Sequence, residues 1–529
     1  MSDVFMGIDL GTGGARVGLF DEAGTPIAFR DSTVRSSYPR QGWMEQDADE
    51  WWSALRSSVH DVLASSGVAP SDIVGIGYDA HSASLVAVDA DAKPLRPGIM
   101  WADVRAAEQA ARAGEIDHWA RLYNGGGEDA VSAEWFIYKA LWVKENEPDV
   151  WAKARWVLDA PDWIGLKLTG EAATNITSAS LKMHHNNDHG GWPTDFYAQL
   201  GLDDLLTKVP ETVNPLGERL GTLTAEAAEE LGLAEGTPVA QGTIDAEAGM
   251  IGMNVLEPGK MALITGSSNC LLAQAADPLF GPGLVGSHTD AVLPGQYTVE
   301  ASQSSTGSVV RWFLETYARD LVDAEAAGGA SAYDVLNEES RDIPPGSDGV
   351  LVTEYFQGNR SPYVDAKARG TITGLSLHHT RAHLYHAVQE ATCHGLELNL
   401  RTLRGLGYET KQLVACGGAL SSPAWMQMHA DVTGMDITIT QVQDGPTLGS
   451  AILGAVASGR FASIPDAAAA MVHQKAVVSP DPQRHEEYTF WTEQYAAIHP
   501  AVRGIQHAVS DHLSRQGRSA AQPPKEHQS

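Results

Sequence analysis

Cysteine is scarce in this chain of 529 residues, which contains only Cys270, Cys393 and Cys416. Their spacing does not match that of metal ligands, and three cysteines cannot build a disulfide framework. Long apolar runs are also missing, because stretches such as AILGAVA are far too short to span a bilayer. The first residues, MSDVFMGIDL, lack the basic and apolar regions of a signal peptide. These absences predict a cytoplasmic protein with no membrane partner.

Basic residues are few relative to acidic ones. Lysine and arginine total 36 against 67 aspartates and glutamates, which gives a formal net charge of −31. Such a surface repels nucleic acids, so we expect no nucleic-acid partner, and the ordinary benefit of the charge is solubility. A local site that binds a nucleotide stays compatible with this overall charge.

The first half alternates strand and helix signals. Residues 7–20, GIDLGTGGARVGLF, have two short apolar runs around a glycine turn and predict a β-hairpin. Asp47 and Gly67 bound an amphipathic segment and predict the start and end of a helix. The apolar runs Ile73–Gly77 and Leu85–Val88 predict strands. This order of elements indicates an α/β fold.

The same order of signals begins again in the second half. Lys260–Ala275 predicts a second hairpin, and its turn, TGSS, again carries small hydroxyl side chains. A long helix is predicted at about Arg381–Leu403 and a strand at Gln412–Ala415. Ser422 and the proline after it are typical of a helix start.

The length of the chain exceeds what one hydrophobic core usually supports, so two domains are expected. We predict an N-terminal domain at residues 1–252 and a C-terminal domain at 253–513. Residues 514–529 are polar, contain a Pro-Pro pair and predict a disordered tail. The tryptophan-rich segment 135–170 has a helical pattern.

The two hairpin turns have the composition of phosphate-binding loops. Glycine lets backbone N–H groups approach a phosphate closely, and threonine and serine add hydroxyl donors. Gly11–Thr12–Gly13 and Thr265–Gly266–Ser267–Ser268 both fit this description. An ordinary hairpin turn is the commoner use of such a sequence, but one in each half suggests two loops that face each other.

Two aspartates lie where a carboxylate needs an explanation. Asp9 interrupts the first strand just before the glycine turn, where it could hold Mg²⁺ or bond a neighbouring backbone group. Asp245 follows a short strand in QGTIDAEAG, where it could cap a helix or act as a general base. As a base, it would take the proton of a hydroxyl that attacks the γ-phosphate of a nucleotide.

A strand–glycine–helix junction follows the strand at Gln412–Ala415. Gly417 and Gly418 have no side chains and could border a flat adenine ring. A tight turn between strand and helix explains the same residues, and from this segment alone it is the better interpretation.

Together these segments resemble the FGGY family of carbohydrate kinases. The resemblance spans about residues 5–460 and rests on GIDLGTGGARVGLFDEAG, GIMWADVRA, GTIDAEAG, LITGSSNC and ACGGALSSPAWMQMHAD. WFIYKALWVKENEPDVWAKARWVLDAPDWIGLKLTG is most similar to ribulokinases and related pentulose kinases. The resemblance implies a two-domain α/β fold like that of actin and hexokinase, built on ribonuclease H-like units around an interdomain cleft. It also implies ATP and Mg²⁺ as cofactor and metal, and a small sugar as substrate.

The resemblance assigns roles to particular residues. It implies Asp245 as the catalytic base and Asp9 at the metal. The residues that it implies at ATP are Asp9, Thr12, Gly13, Thr265, Gly266, Gly417 and Gly418. The residues that it implies around the sugar are Asp79, His81, Trp101, Asp103, Lys182 and Glu300. A surface position for Lys182 and a core position for Trp101 are the structural alternatives.

The sequence departs from the ribulokinase pattern at one place. The usual EGGQSATG is EASQSSTG here, so both glycines after Glu300 are replaced. The predicted reaction is transfer of phosphate from ATP to a primary hydroxyl of a small ketose, such as ribulose. Xylulose, erythritol or ribitol are alternative substrates. A sugar-binding protein without catalysis, and an actin-like or chaperone-like ATPase, are alternatives on the same scaffold. The oligomeric state, including a homodimer, stays open.

Overall fold

The computed structural model describes residues 3–124 and 132–515. The strands of the first half are β1 (Val4–Gly11), β2 (Gly14–Asp21), β3 (Pro26–Thr33), β4 (Glu45–Gln46), β5 (Ile73–Ala80), β6 (Leu85–Val88), β7 (Gly98–Ile99), β8 (Trp156–Asp159), β9 (Thr174–Asn175), β10 (Val213–Asn214), β11 (Arg219–Thr222), β12 (Pro238–Ala240) and β13 (Thr243–Ile244). Its helices are α1 (Ala48–Ser66), α2 (Ala107–Gly114), α3 (Trp119–Tyr123), α4 (Phe136–Asn146), α5 (Pro148–Lys153), α6 (Ala160–Thr169), α7 (Ile176–Lys182), α8 (Thr194–Leu200), α9 (Ala225–Leu231) and α10 (Asp245–Gly252).

The strands of the second half are β14 (Lys260–Thr265), β15 (Asn269–Ala275), β16 (Gly286–Thr289), β17 (Tyr297–Gln303), β18 (Leu351–Thr353), β19 (Thr371–Thr373), β20 (Gln412–Gly417), β21 (Ile437–Thr440) and β22 (Gln474–Val478). Its helices are α11 (Gly307–Tyr317), α12 (Arg319–Ala326), α13 (Ala332–Glu339), α14 (Arg381–Gly405), α15 (Pro423–Thr433), α16 (Gly445–Ala457), α17 (Ile464–Met471) and α18 (Pro482–Arg515). Among the described helices, none combines the length and apolar character needed to cross a bilayer.

The two large sheets repeat one strand arrangement. The first sheet has the order β11-β12-β5-β1-β2-β3, and β13 also pairs with β5. The second has the order β16-β17-β15-β14-β20-β21-β22. In each, an antiparallel hairpin (β1–β2 or β14–β15) continues into two parallel strands on one side. The structure therefore confirms both predicted hairpins and the shared architecture of the two halves.

Helix α1 shows how local sequence sets an element. The Asp47 side chain accepts a hydrogen bond from the backbone of Asp49, and Gly67 ends the helix in the left-handed conformation, as predicted. The helical pattern predicted over 135–170 corresponds to α4, α5 and α6, but the strand β8 lies between α5 and α6 and was not predicted. The apolar strand Trp156–Asp159 gains backbone hydrogen bonds by pairing with β6, which a helix there would lose.

Separate hydrophobic cores support the two sheets, and a third core joins them. Phe5 from the first sheet, Leu272 from the second, and Met250 and Ile452 from α10 and α16 pack in this joining core. The predicted boundary at residue 252 coincides with the end of α10 and stays a prediction. Of the predicted tail, only residues 514 and 515 are described, as the end of α18.

Helix α16 follows the second sheet in the chain but packs on the first sheet, against β1 and β5, and on α10. Glycines make this contact close. A Cβ at Gly7 would overlap the Thr447 carbonyl oxygen, and one at Gly77 would overlap that of Ser450. A Cβ at Gly449 would overlap the carbonyl oxygen of Ala248 on α10. Backbone therefore lies directly on backbone at the junction between the halves.

We predict that Gly449→Ala lowers the melting temperature even though alanine favours helix over glycine. The added methyl meets fixed backbone, and overpacking of this kind costs about 1–3 kcal/mol, against a propensity gain of about 1 kcal/mol. The matched control is Gly504→Ala in helix α18, where no heavy atom lies within 4 Å of the added Cβ. This control should melt at or above the wild-type temperature. Equal melting of both variants would show that the junction is not closely packed.

Candidate active site

Asp245 lies at the junction between the two halves. Strand β13 pairs in parallel with β5, so that Thr243 is the partner of Asp79, and the chain then turns into α10. Asp245 is the first residue of this helix rather than its cap, and its carboxylate accepts a hydrogen bond from the Ala246 backbone at 2.8 Å. The side chain is half-buried. Burial and the charge of Asp9 raise the pKa of Asp245 to about 7.

Asp9 and Asp79 are partners in the parallel pair β1–β5. Burial and Asp444 raise the pKa of Asp9 to about 6, while burial and Asp9 raise that of Asp79 further. Asp79 is fully buried and accepts a 2.6 Å hydrogen bond from Ser450 on α16. Asp79 therefore lies beside Asp9 on the neighbouring strand, and its expected contact with a sugar stays a prediction.

This group of carboxylates fits a hard cation. Asp9 is half-buried, and it interacts electrostatically with three other carboxylates, those of Asp79, Asp245 and Asp444. Arg16 is the cation that lowers the pKa of Asp9, and its guanidinium is also paired with Asp444. Magnesium binds oxygen ligands and keeps several waters, so Asp9 offers the type of ligand that it prefers.

The first hairpin turn is tied to the tryptophan of the WADVR segment. The indole N–H of Trp101 donates to Thr12 Oγ1 at 2.9 Å, and Gln46 donates to the Thr12 carbonyl at 2.8 Å. Gly13 is exposed at the tip of the turn. Trp101 is in turn held by Lys139, whose buried ammonium donates to the Trp101 carbonyl at 3.0 Å. This arrangement brings the expected sugar residue Trp101 next to the expected phosphate turn.

The second turn is joined to the glycine junction after β20. The Thr265 hydroxyl donates to the Cys416 carbonyl at 2.8 Å and accepts from the Ala419 backbone at 3.1 Å. Thr265 is therefore buried in a structural link, and its hydroxyl is already used. Gly417 adopts a φ of 95°, and a Cβ there would overlap the Thr265 carbonyl oxygen. Gly266 and Gly418 are exposed beside this link. The backbone N–H of Gly266 donates to the Ser268 carbonyl at 2.9 Å, and its carbonyl accepts from the Gly307 backbone at 3.1 Å.

Lys182 and Glu300 come from different halves and act on each other. Burial alone would raise the pKa of Glu300, but Lys182 and His288 outweigh it and lower this pKa to about 2. His288 Nε2 lies 3.7 Å from the Glu300 carboxylate. Helix α7, which ends at Lys182, is fixed by Thr177, whose hydroxyl donates to the Ala291 carbonyl at 2.6 Å. We name Lys182, Glu300 and His288 the charged wall. It contains residues from both halves of the chain.

Sequence reasoning missed Glu247, which lies two residues after Asp245. Its side chain is fully buried, and neither carboxylate oxygen has a hydrogen-bond partner among the described residues. Burial and Glu300 raise its pKa well above the usual value, which favours the protonated form. A charged residue inside the small-residue segment DAEAG was the signal that could have identified it.

Two further residues that were expected around the sugar, Asp103 and His81, are buried. Asp103 pairs with Arg105 at 2.7 Å and accepts from the Met44 backbone at 2.6 Å, so its carboxylate is already used. His81 is also buried; its ring contacts Trp51 at 4.9 Å between centroids, and burial lowers its pKa to about 4. Neither ring nitrogen of His81 has a hydrogen-bond partner among the described residues, whereas the Asp103 carboxylate is bonded on both oxygens. The contacts of both residues with a sugar stay predictions.

Comparison with known proteins identifies the family of this chain. The N-terminal domain of the FGGY family of carbohydrate kinases matches residues 4–252, and its C-terminal domain matches 261–458. A human FGGY carbohydrate kinase domain-containing protein is 34% identical over 523 residues, covering 92% of this chain and 94% of the relative. A ribulokinase from Bacillus licheniformis is 32% identical over 454 residues, covering 82% of each chain.

Solved structures show the same fold. A xylulose kinase from Rhodospirillum rubrum superposes with a TM-score of 0.83 at 27% identity, covering 95% of this chain and all of that one. A ligand-bound xylulose kinase from Lactobacillus acidophilus gives a TM-score of 0.85 at 22% identity, covering 96% of this chain and 100% of that one. The fold is thus the two-domain α/β fold of the actin and hexokinase type. The chain belongs to the FGGY family of carbohydrate kinases and is an ATP-dependent sugar kinase.

Proposed function

We propose that this sugar kinase transfers the γ-phosphoryl group of ATP to a primary hydroxyl of a small ketose, with a pentulose such as ribulose as the substrate. The charged wall of Lys182, Glu300 and His288 carries the proposal, because it offers both donors and acceptors to a polyhydroxylated ligand. Similarity to several ribulokinases at 31–32% identity supports the same substrate class.

Asp245 is proposed to act as the general base. Its carboxylate is half-buried at the junction, and a pKa near 7 suits proton transfer at neutral pH. It accepts the proton of the sugar hydroxyl while the hydroxyl oxygen forms a bond to the γ-phosphorus. The bond from that phosphorus to the oxygen bridging to ADP breaks, and ADP leaves with this electron pair.

The two hairpin turns are proposed to bind the phosphates. Gly13 is exposed and can present its backbone N–H group to a phosphate oxygen. Gly266 is also exposed, but its N–H donates to the Ser268 carbonyl at 2.9 Å, so the second turn would have to exchange that bond for one to phosphate. Gly417 and Gly418 are proposed to border the adenosine. Asp9 would hold Mg²⁺, which neutralises charge on the phosphates when it is bound. Exclusion of water from this junction would prevent hydrolysis, in which water accepts the phosphoryl group in place of the sugar.

The principal alternative is a kinase for xylulose, or for a polyol such as ribitol or erythritol. Structural similarity to xylulose kinases supports xylulose as an alternative substrate. A coupled assay of ADP release with ribulose, xylulose, ribitol and erythritol, each in both enantiomers where they exist, separates the candidates. The proposal expects the highest kcat/KM with a ribulose. A higher value for xylulose or a polyol would overturn the pentulose assignment, and sugar binding without ADP release would overturn catalysis.

We predict that Asp245→Asn lowers kcat by about 10²–10⁴-fold, the usual loss of a general base. The wild-type kcat/KM should fall as the pH drops below about 7, because protonated Asp245 cannot accept a proton. Steady-state kinetics across pH measures both effects. Asp203→Asn is the control, since its side chain is 73% exposed and faces solvent. An Asp245→Asn enzyme with wild-type turnover would remove this residue from the mechanism.

The same substitution has a predicted effect on stability. The pKa of Asp245 is raised from 3.8 to about 7 in the folded protein, so folded protein holds a proton that the unfolded chain releases. The contribution of this group to stability therefore falls as the pH rises from about 4 to about 7. Asp245→Asn should melt above wild type at about pH 8, and the difference should shrink near pH 4. A difference that grows toward acid pH would contradict the assigned environment.

Glu300→Gln is predicted to raise the KM for the sugar by about tenfold to a hundredfold, because hydrogen bonds to charged groups contribute about 1.5–3 kcal/mol. The KM for ATP should change little, since Glu300 belongs to the proposed sugar wall. Glu315→Gln, an exposed carboxylate that pairs with Arg311 on α11, is the matched control. If Glu300→Gln changed only the KM for ATP, the assignment of the wall to sugar would be wrong.

A further inference from the structure

A cluster of metal-type ligands lies on the surface of the second half, apart from the residues proposed for phosphoryl transfer. We name Asp348, His378 and His383 the histidine cluster. One ligand atom from each of the three lies within 4.8 Å of the other two. His383 belongs to the first turn of α14, and His378 belongs to the loop before it. His383 Nε2 is 3.2 Å from Asp348 Oδ2.

The loop that carries Asp348 is fastened to the helix that carries His383. The backbone N–H of Gly346 and the hydroxyl of Ser347 donate to the Glu390 carboxylate at 2.8 and 2.7 Å. Glu390 is buried and lies seven residues after His383 on the same helix. Asp348 and His383 are therefore held at a fixed spacing by buried hydrogen bonds rather than by their own contact alone.

This spacing suits a tetrahedral ion. Zinc bonds nitrogen and oxygen ligands at about 2.0–2.1 Å, which places two ligands of a tetrahedron about 3.3 Å apart. Asp348 and His383 already have this separation. His378 is exposed, so rotation of its side chain can bring the third ligand closer without moving the core. Three protein ligands leave a fourth position for water or an added ligand.

Neighbouring groups can orient the two imidazoles. His378 Nδ1 lies 2.7 Å from Ser376 Oγ, and His383 Nδ1 lies 3.0 Å from Thr380 Oγ1. If each Nδ1–H donates to its hydroxyl, each Nε2 lone pair is free for a metal. His383 Nδ1 also lies 3.2 Å from the Thr380 backbone nitrogen, and metal binding would give up that helix-capping contact.

We propose that Asp348, His378 and His383 bind a first-row divalent transition metal, for which Zn²⁺ has the best match of ligands and geometry. Two imidazoles and one carboxylate suit Zn²⁺, Co²⁺ or Ni²⁺, whereas Mg²⁺ requires oxygen ligands. The ion would join the 346–349 loop and the 375–380 loop to the start of α14. Because the ion binds only the folded arrangement, it would raise the melting temperature.

The test is calorimetric titration of the full chain, without a histidine tag, with ZnCl₂ or CoCl₂. Excess Mg²⁺ is included to occupy oxygen-ligand sites such as the one proposed at Asp9, and nucleotide is omitted because it binds metals. We expect one site per chain, a tetrahedral Co²⁺ absorption spectrum and a rise in melting temperature with Zn²⁺. His378→Gln should weaken Zn²⁺ affinity by at least about tenfold, since even the loss of a supporting group costs about 10–100-fold.

The matched control is His60→Gln, another exposed histidine on the surface of the first half. It should keep wild-type metal affinity. His378→Gln replaces an exposed side chain, and its unchanged melting temperature without metal would show that the fold is intact. Asp348→Asn gives a second, independent loss of a ligand. Absence of Zn²⁺ binding by wild type, or equal affinity in wild type, His378→Gln and Asp348→Asn, would overturn the proposal.

Discussion

The contact of α16 with α10 and with strands β1 and β5 is the constraint on which the arrangement of the site depends. Glycines at both surfaces bring backbone against backbone, so the end of the first sheet and the start of α10 have one relative position. Asp9, Asp79 and Asp245 project from the adjoining chain segments β1, β5 and the β13–α10 junction. Carboxylates placed so close repel each other, and only rigid packing around them can keep them together.

That repulsion has a chemical consequence. Burial and the charge of Asp444 raise the pKa of Asp9 to about 6, and burial and the charge of Asp9 raise that of Asp245 to about 7. A base with a pKa near neutrality can both accept a proton and release it again. A bound cation would reduce the repulsion between these carboxylates. The repulsion that destabilises the metal-free site therefore favours metal binding. At the charged wall the pKa shift has the opposite direction, because Lys182 and His288 lower the pKa of Glu300 and keep it ionised.

Much of the fold followed from local sequence, whereas the tertiary contacts did not. Both hairpins and helix α1 were predictable because turn glycines, an N-cap aspartate and apolar periodicity act over a few residues. Strand β8 was missed because it pairs with β6, which is distant in the sequence. The packing of α16 on the first sheet could not be predicted, because no periodic pattern in the sequence shows which sheet a helix contacts. Family resemblance predicted sugar contacts for Asp79 and Asp103. It could not show that both side chains are buried and already bonded.

The charged wall is the proposed determinant of the sugar. A ligand that donates hydrogen bonds to the ionised Glu300 must carry hydroxyl groups, while Glu247 is fully buried and interacts with Glu300 electrostatically. The central claim is that Asp245 receives the proton of such a hydroxyl. A crystal structure with ribulose and a non-hydrolysable ATP analogue tests it most directly. The account predicts a primary hydroxyl within about 2.6–3.2 Å of the Asp245 carboxylate, facing the γ-phosphate. An Asp245 side chain turned away from the sugar, with another group beside that hydroxyl, would contradict it.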